Sequence, residues 1–238
     1  MRRPCITVYY RLNGEPAYHV DIAVYSDASC NRDGKTYLAK GKATSLPEHR
    51  IWEVADPEGL AETLLGKFKG GAQDQFRHVT RYLKRWKDEN FDATGVARPI
   101  GVALTVAVFE ELQPTFSDSL RSRPDDLQAL RTLVTRLLNR FTSVWNGMTG
   151  RFERRLQVYL PVEPGNELFV RMTEKQMADF ESKLHDLQQA LDFAADSVDP
   201  VAACEELQRV FGDDFPVPPK EETARRHAPA ISTSSSSA

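Results

Sequence analysis

Residues 18–25 read Tyr-His-Val-Asp-Ile-Ala-Val-Tyr, and the reading of this octet decides the fold. In an extended chain, alternation puts Tyr18, Val20, Ile22 and Val24 on one side and His19, Asp21, Ala23 and Tyr25 on the other. A period of two in β-branched and aromatic residues is the pattern of a β-strand. Asp21 is the discordant residue. A carboxylate in the middle of an apolar strand must meet solvent, a counter-ion or a metal, because burying it alone costs several kcal/mol. The plain alternative is that His19 and Asp21 line the wet face of an edge strand.

Upstream, Cys5–Tyr10 (CITVYY) reads as a second strand, joined to the octet across an Asn13-Gly14 turn. Downstream, Asp33-Gly34 marks another turn before a strand at Lys35–Ala39. Together these make a small β-meander that begins almost at Met1. A domain seldom opens in the middle of its sheet, so the expectation is a sheet with part of it missing upstream.

From Pro57 onward the pattern becomes helical. Pro57–Phe68 is one helix, ended by Gly70-Gly71. Gln73–Asn90 carries Phe76, Val79, Leu83 and Trp86 at helical spacing. Val102–Leu112 is an apolar run that periodicity alone does not assign to helix or strand. Pro124–Trp145 reads as one long helix, with Asp125 and Asp126 at its positive end and Leu127, Leu130, Val134, Leu137 and Phe141 as its stripe. Thr173 and Gln176 form a capping box before Met177, Phe180, Leu184, Leu187 and Leu191. Asp199-Pro200 starts a last helix, which stops at Gly212. Beyond Phe215 the chain is Pro-rich, then charged, then Ser-rich, a composition that predicts a disordered tail over 217–238.

Composition limits the function. With 238 residues, 41% of them apolar, the chain can bury a sizeable core. A net charge of −3 excludes bulk electrostatic binding of polyanions and gives no sign of DNA binding, so any nucleotide site must be a local basic patch. The three cysteines, Cys5, Cys30 and Cys204, are widely spaced and fit neither a disulfide framework nor a metal cluster, in keeping with a reducing cytoplasm. No apolar run is long enough to span a membrane, and no signal-type segment follows Met1.

Such a local patch occurs in the helix from Gln73. Arg77, Arg81 and Lys84 stand at i, i+4 and i+7, opposite the apolar stripe. Three cations on one face suit a triphosphate. The same residues could equally form a solvated face paired with Asp74, Asp88 and Glu89.

The order of the motifs carries further information. HVDIAVY is followed by IWEVADP (51–57), the helix QFRHVTRYLKRWKDENF (75–91), RPIGVALTV (98–106), PGNELF (164–169) and VFGDDFP (210–216). In this succession, from about Pro4 to Pro216, the chain resembles the bacterial cGAS/DncV-like nucleotidyltransferases. The resemblance implies an α+β, polymerase-beta-like nucleotidyltransferase fold. Residues 1–56 would be a remnant of the catalytic sheet, residues 57–216 a helical C-terminal lobe lining the nucleotide pocket, and residues 217–238 a tail.

The resemblance also implies a chemistry. Members join ATP, GTP or other nucleoside triphosphates into cyclic di- or oligonucleotide second messengers of anti-phage defence. Three acidic residues hold two Mg²⁺ ions. Asp21 matches the third of them and so would be both catalytic and metal-binding. Lys84 matches a nucleotide-contacting lysine, with Arg81 beside it, and Glu167 matches an acidic position near the acceptor nucleotide. CBASS-type accessory proteins, including a ubiquitin-transfer-like enzyme acting on the C-terminus, would be partners. The departures are equally definite. The Gly-Ser turn and Asp-x-Asp pair that precede the third carboxylate are absent from the twenty residues before Asp21, and no small hydroxyl residue stands near Ile100. The expectation is therefore a synthase lacking its N-terminal catalytic motifs, inactive as this chain alone. The alternative is a non-catalytic module of the same descent that binds a nucleotide or a partner. A toxin that modifies tRNA or protein is a more distant third reading.

Overall fold

A computed structural model of the protein describes residues 5–27, 33–41, 44–92, 98–118, 120 and 123–219. The chain divides into two compact units, 1–67 with 159–167, and 68–158 with 168–238. The contacts thus divide at 67/68 and return 159–167 to the first unit, where the sequence reading put one boundary at 56/57. The expected tail lies, from residue 220 onward, outside the described residues.

The first unit opens with β1 (Cys5–Leu12) and β2 (Glu15–Ala23), an antiparallel pair. Their turn is the two-residue Asn13-Gly14, with φ of 53° and 87°. Both values are positive, as a turn matching strand twist requires, and Asn and Gly tolerate this best. The register puts Ile6 opposite Ile22, Val8 opposite Val20 and Tyr10 opposite Tyr18, which makes one face of the hairpin wholly apolar. Cys5/Ala23, Thr7/Asp21 and Tyr9/His19 make the other face. The meander is broken at Val24. A separate three-stranded sheet follows, built from β3 (Tyr25–Ser26), β4 (Tyr37–Lys40) and β5 (Ile51–Val54) in the order β3-β4-β5. As a two-stranded sheet, β1-β2 leaves one edge of each strand without a strand neighbour among the described residues. Helix α1 (Pro57–Gly66) closes the run, its N-cap Asp56 accepting a hydrogen bond from the Gly59 amide at 2.8 Å.

The second unit is helical: α2 (Gly71–Asn90), α3 (Gly101–Glu111), α4 (Asp126–Asn139), α5 (Glu174–Asp196) and α6 (Pro200–Phe211). The apolar run at 102–112, left open by its periodicity, is helix α3; Val106, Ala107 and Val108 in succession are buried, so the helix is apolar all round in its middle. The stripes expected for α2 and α5 all face inward: Phe76, Val79, Leu83 and Trp86 from α2, and Met177, Phe180, Leu184, Leu187 and Leu191 from α5. Phe180 is the hub, with its ring centroid 5.6–6.2 Å from those of Trp86, Phe91, Phe141 and Phe169.

One expected helix is corrected. The reading of 124–145 as continuous helix fails at Asn139, because Thr142–Asn146 is β6, paired with β7 (Arg151–Arg155). Phe141 continues the apolar stripe and is buried. The β-branched and aromatic residues after it, with the Asn146-Gly147 turn, favour a hairpin. Glu153, buried on the inner face, accepts hydrogen bonds from Asn146 Nδ2 (2.8 Å) and Thr149 Oγ1 (2.9 Å), which orders that turn. Pro124 also lies outside the helix, whose N-cap is Asp125.

The expected capping box of α5 forms: the Thr173 side chain accepts from the Gln176 amide and the Gln176 side chain accepts from the Thr173 amide. At the end of α6, Gly212 has φ +90°, and a Cβ there would meet the Glu89 carboxylate at 2.5 Å. The positive φ is what favours glycine at this helix end, since side-chain-bearing residues rarely adopt it.

Candidate functional site

The expected site residues fall in two places. Asp21 and Glu167 belong to the first unit, Arg81 and Lys84 to the second.

Asp21 lies directly across from Thr7, whose hydroxyl donates to Oδ1 at 2.6 Å. The carboxylate is therefore on the polar face of the hairpin, solvated and held by its neighbour, which is how an apolar strand accommodates it. Two residues away on the same face, the His19 ring lies 5.8 Å from that of Tyr9. Glu167 is half-buried and its backbone bridges to Tyr159. In the same segment Glu163, which the sequence reading passed over, pairs with Lys35 at 2.7 Å.

On α2, packing and charge pairing together decide what the cations can do. Of the acidic residues suggested as their partners, Asp74 holds Arg77 at 3.3 Å, Glu89 holds Arg85 at 3.0 Å, and Asp88 holds Lys87 at 2.8 Å and Arg98 at 3.5 Å. Among the described residues, Arg81 donates only to the Arg77 carbonyl of its own helix, at 3.3 Å. Lys84 has no hydrogen-bond or ion-pair partner among the described residues. Its ammonium is half-buried. Desolvation, and next the nearby Lys87, hold its pKa below the ordinary lysine value, with Asp88 acting the other way. Of the three cations on this helix face, Arg77 is ion-paired with Asp74, whereas Arg81 and Lys84 make no ion pair among the described residues.

A further part of this site was not anticipated. Lys84 Cε lies 3.7 Å from where a Cβ on Gly101 would stand, so its stem runs beside the start of α3. The N-cap of α3, Ile100, makes no side-chain capping bond, and the first helical bond of the turn is Leu104 N to Ile100 O. The amides of Gly101, Val102 and Ala103 are thereby left to other partners at the positive end of the helix dipole. Ile100 and Val102, 49% and 38% exposed, add aliphatic surface next to it. The signal available in the sequence was negative: no Ser, Thr, Asp or Asn stands where this helix would need a cap.

What this arrangement offers is anion binding with an apolar flank. It does not offer a two-metal centre. Among the described residues no group of three or more His, Cys, Asp or Glu is placed to hold a metal ion, so these residues do not fit a pair of Mg²⁺ ions. No helix among them is long and apolar enough to cross a membrane.

No known family profile matches the chain, and no curated protein matches it by sequence. Solved structures do match in three dimensions. The cyclic AMP-GMP synthase DncV of Vibrio cholerae, described as a prokaryotic cGAS homolog, superposes with a TM-score of 0.58 at 17% identity, covering 91% of this chain and 52% of that one. The fold is DncV-like. The complex of DncV with nonhydrolyzable GTP gives a TM-score of 0.62 at 18% identity over the same shares, and the GTP-bound form gives 0.57 at 19% identity over 83% and 47%. The chain spans about half the length of the DncV structures it matches. The expected fold class, an α+β nucleotidyltransferase fold of helices and small antiparallel sheets, is that of DncV over this span.

Proposed function

We propose that this chain is the nucleotide-holding part of a cyclic di- or oligonucleotide synthase that acts on ATP, GTP or related triphosphates in anti-phage signalling. The observation that carries the reading is Lys84, which makes no ion pair among the described residues and runs beside the uncapped start of α3, with Arg81 one turn earlier on the same helix. Phosphate oxygens would supply the counter-charge. Lys84 supplies a point charge, Arg81 a planar fork, and the α3 amides further donors. Ile100 and Val102 offer an apolar surface to the base or ribose. The likeness to DncV, a protein solved with GTP and with the linear intermediate pppA(3′,5′)pG, supports the same reading.

Asp21 is the carboxylate that the chain would lend to a metal centre whose other ligands lie outside its described residues. Glu167 is placed near the acceptor nucleotide by resemblance alone. The chain by itself is expected to form no cyclic product. CBASS-type accessory proteins are the proposed partners in the cell, with the C-terminal tail as the segment they would modify. The second reading, a non-catalytic module that binds a nucleotide or partner, uses the same α2 site without Asp21.

Equilibrium titration of the chain with ATP and GTP tests the shared part of both readings. Lys84→Ala should weaken binding about tenfold or more while leaving the melting temperature in place, since a charge-assisted contact of this kind contributes about 1.5–3 kcal/mol. Unchanged affinity would remove the site from α2. Supplying the rest of a DncV-type fold then separates the two readings. Product formation that Asp21→Asn abolishes identifies the synthase; binding without any product leaves the module.

A further inference from the structure

We infer that strand β6 is an interface between two copies of this chain, and that the protein forms a weak symmetric dimer by antiparallel pairing of β6 with β6 of the second copy about Val144. The inference is independent of what α2 binds. It rests on an open edge, on exposed large side chains beside it, and on the order of residues along the strand.

Among the described residues β6 pairs with β7 and with no other strand. β7 is tied to α5, with Arg151 paired to Glu174, and Arg154 to Glu181 at 2.7 Å. Folded proteins guard a strand edge with charged side chains, proline or a bulge. The strand Thr142-Ser143-Val144-Trp145-Asn146 has no charge and no proline, and its register with β7 runs through all five pairs without a shift. The β1-β2 hairpin, by contrast, contains Pro16, Asp21 and a register shift at Tyr10/Arg11. An unguarded edge offers its backbone amides and carbonyls to another strand.

Beside this edge the surface is apolar. Trp145, 57% exposed, meets Phe152 edge-on with ring centroids 5.3 Å apart, and Met148 in the turn is 97% exposed. Aromatic and Met side chains are enriched in the cores of protein interfaces. Trp145 and Met148 together expose on the order of 300 Å² per copy, which suits a weak, reversible contact below about 1,200 Å² in total rather than an obligate dimer.

The order of residues favours a second copy over an unrelated strand. Antiparallel pairing about Val144 sets Val144 against the second copy's Val144, Ser143 against its Trp145 and Thr142 against its Asn146. The large indole then lies across from a small residue, the two polar ends meet each other, and no like charges are opposed. The turn carrying Met148 reaches past the second copy's Thr142.

The test is sedimentation velocity of the 238-residue chain over about 1 to 300 µM, a range that brackets weak association. The sedimentation coefficient should rise with concentration, and Trp145→Lys should weaken association about tenfold or more with the melting temperature unchanged, because the side chain lies outside the core. Under mild oxidation Val144→Cys should give a disulfide-linked dimer, since directly paired Cα atoms lie within about 7 Å, whereas Ser143→Cys should not, being two residues out of register with its own copy. Wild type oxidised in parallel corrects for Cys5, Cys30 and Cys204. A chain that stays monomeric over the whole range overturns the inference. A dimer that Trp145→Lys leaves intact, or one that crosslinks through Ser143→Cys in preference to Val144→Cys, overturns it too, because the contact then lies on another surface or in another register.

Discussion

The two units of this protein have similarly apolar elements and very different interiors. In the second, some thirty side chains from five helices and the segments between them close on one another, and those around Phe180 are almost wholly removed from water. In the first, Tyr37 is the one buried residue among those described. The hairpin that carries Asp21 has a continuous apolar face, yet Ile6, Tyr18 and Ile22 on it remain 51–62% exposed. Alternation therefore reports which side of a strand is suited to a core, and it is silent on whether a core is there. The second unit has the apolar burial that sustains an independent fold; the first has a surface ready for burial and little already buried.

Substitutions at matched positions should expose that difference most strongly. Phe180→Ala should cost about 3–5 kcal/mol, read as a lowered denaturation midpoint, since it empties the centre of an aromatic cluster. Ile22→Ala should cost less than about 0.5 kcal/mol, since little is lost from an exposed side chain. A large effect of Ile22→Ala would break the comparison by showing that the hairpin face is covered in solution.

A smaller effect sharpens the picture within the second unit. Thr173→Ala removes the reciprocal cap of α5 and should cost about 1 kcal/mol, with faster amide exchange confined to the first turn of that helix. Gln176→Ala should lose only its half of the box. Equal loss in the two variants would mean that the cap acts as one unit.

The smallest effect is on pH dependence. Burial holds the pKa of Lys84 below its unfolded value, so in the window between the two the unfolded chain binds a proton that the folded chain does not. Stability attributable to this residue therefore rises with pH through that alkaline window and is lost as pH falls through the folded pKa. Lys84→Met should flatten that part of the pH–stability curve, and nucleotide affinity should fall at a lower alkaline pH than for an ordinary lysine. An unaltered slope in Lys84→Met would mean that the ammonium is solvated after all.

Much of this was legible in the sequence because it is local. Thr173 and Gln176 specify a cap by spacing alone, Asn13-Gly14 specifies a turn by the φ values it permits, and the stripes of α2 and α5 follow from the helical period. The end of α4 was not legible in the same way, because Phe141 keeps the helical spacing of the stripe and is buried in the same core although the helix has already ended at Asn139. The site was legible in part. Arg77, Arg81 and Lys84 share a face by arithmetic, whereas which of them lacks a carboxylate depends on Lys87 and Arg98 reaching Asp88, a matter of packing. Asp21 could be placed on the polar face by alternation, but the hydrogen bond from Thr7 needed the pairing register.

Helix α2 has one further consequence, for how such a protein can change over evolutionary time. One side of it is tied down: Arg85 and Asn90 reach the backbone of α6, at 2.8 and 2.9 Å, and Gln75 and His78 hold Asp126 of α4. Arg81 and Lys84 take part in none of these ties. Substitutions at these two positions can accumulate without first passing through a misfolded ancestor, so whatever this face of α2 binds is open to drift and selection while the scaffold remains under its own, separate constraint.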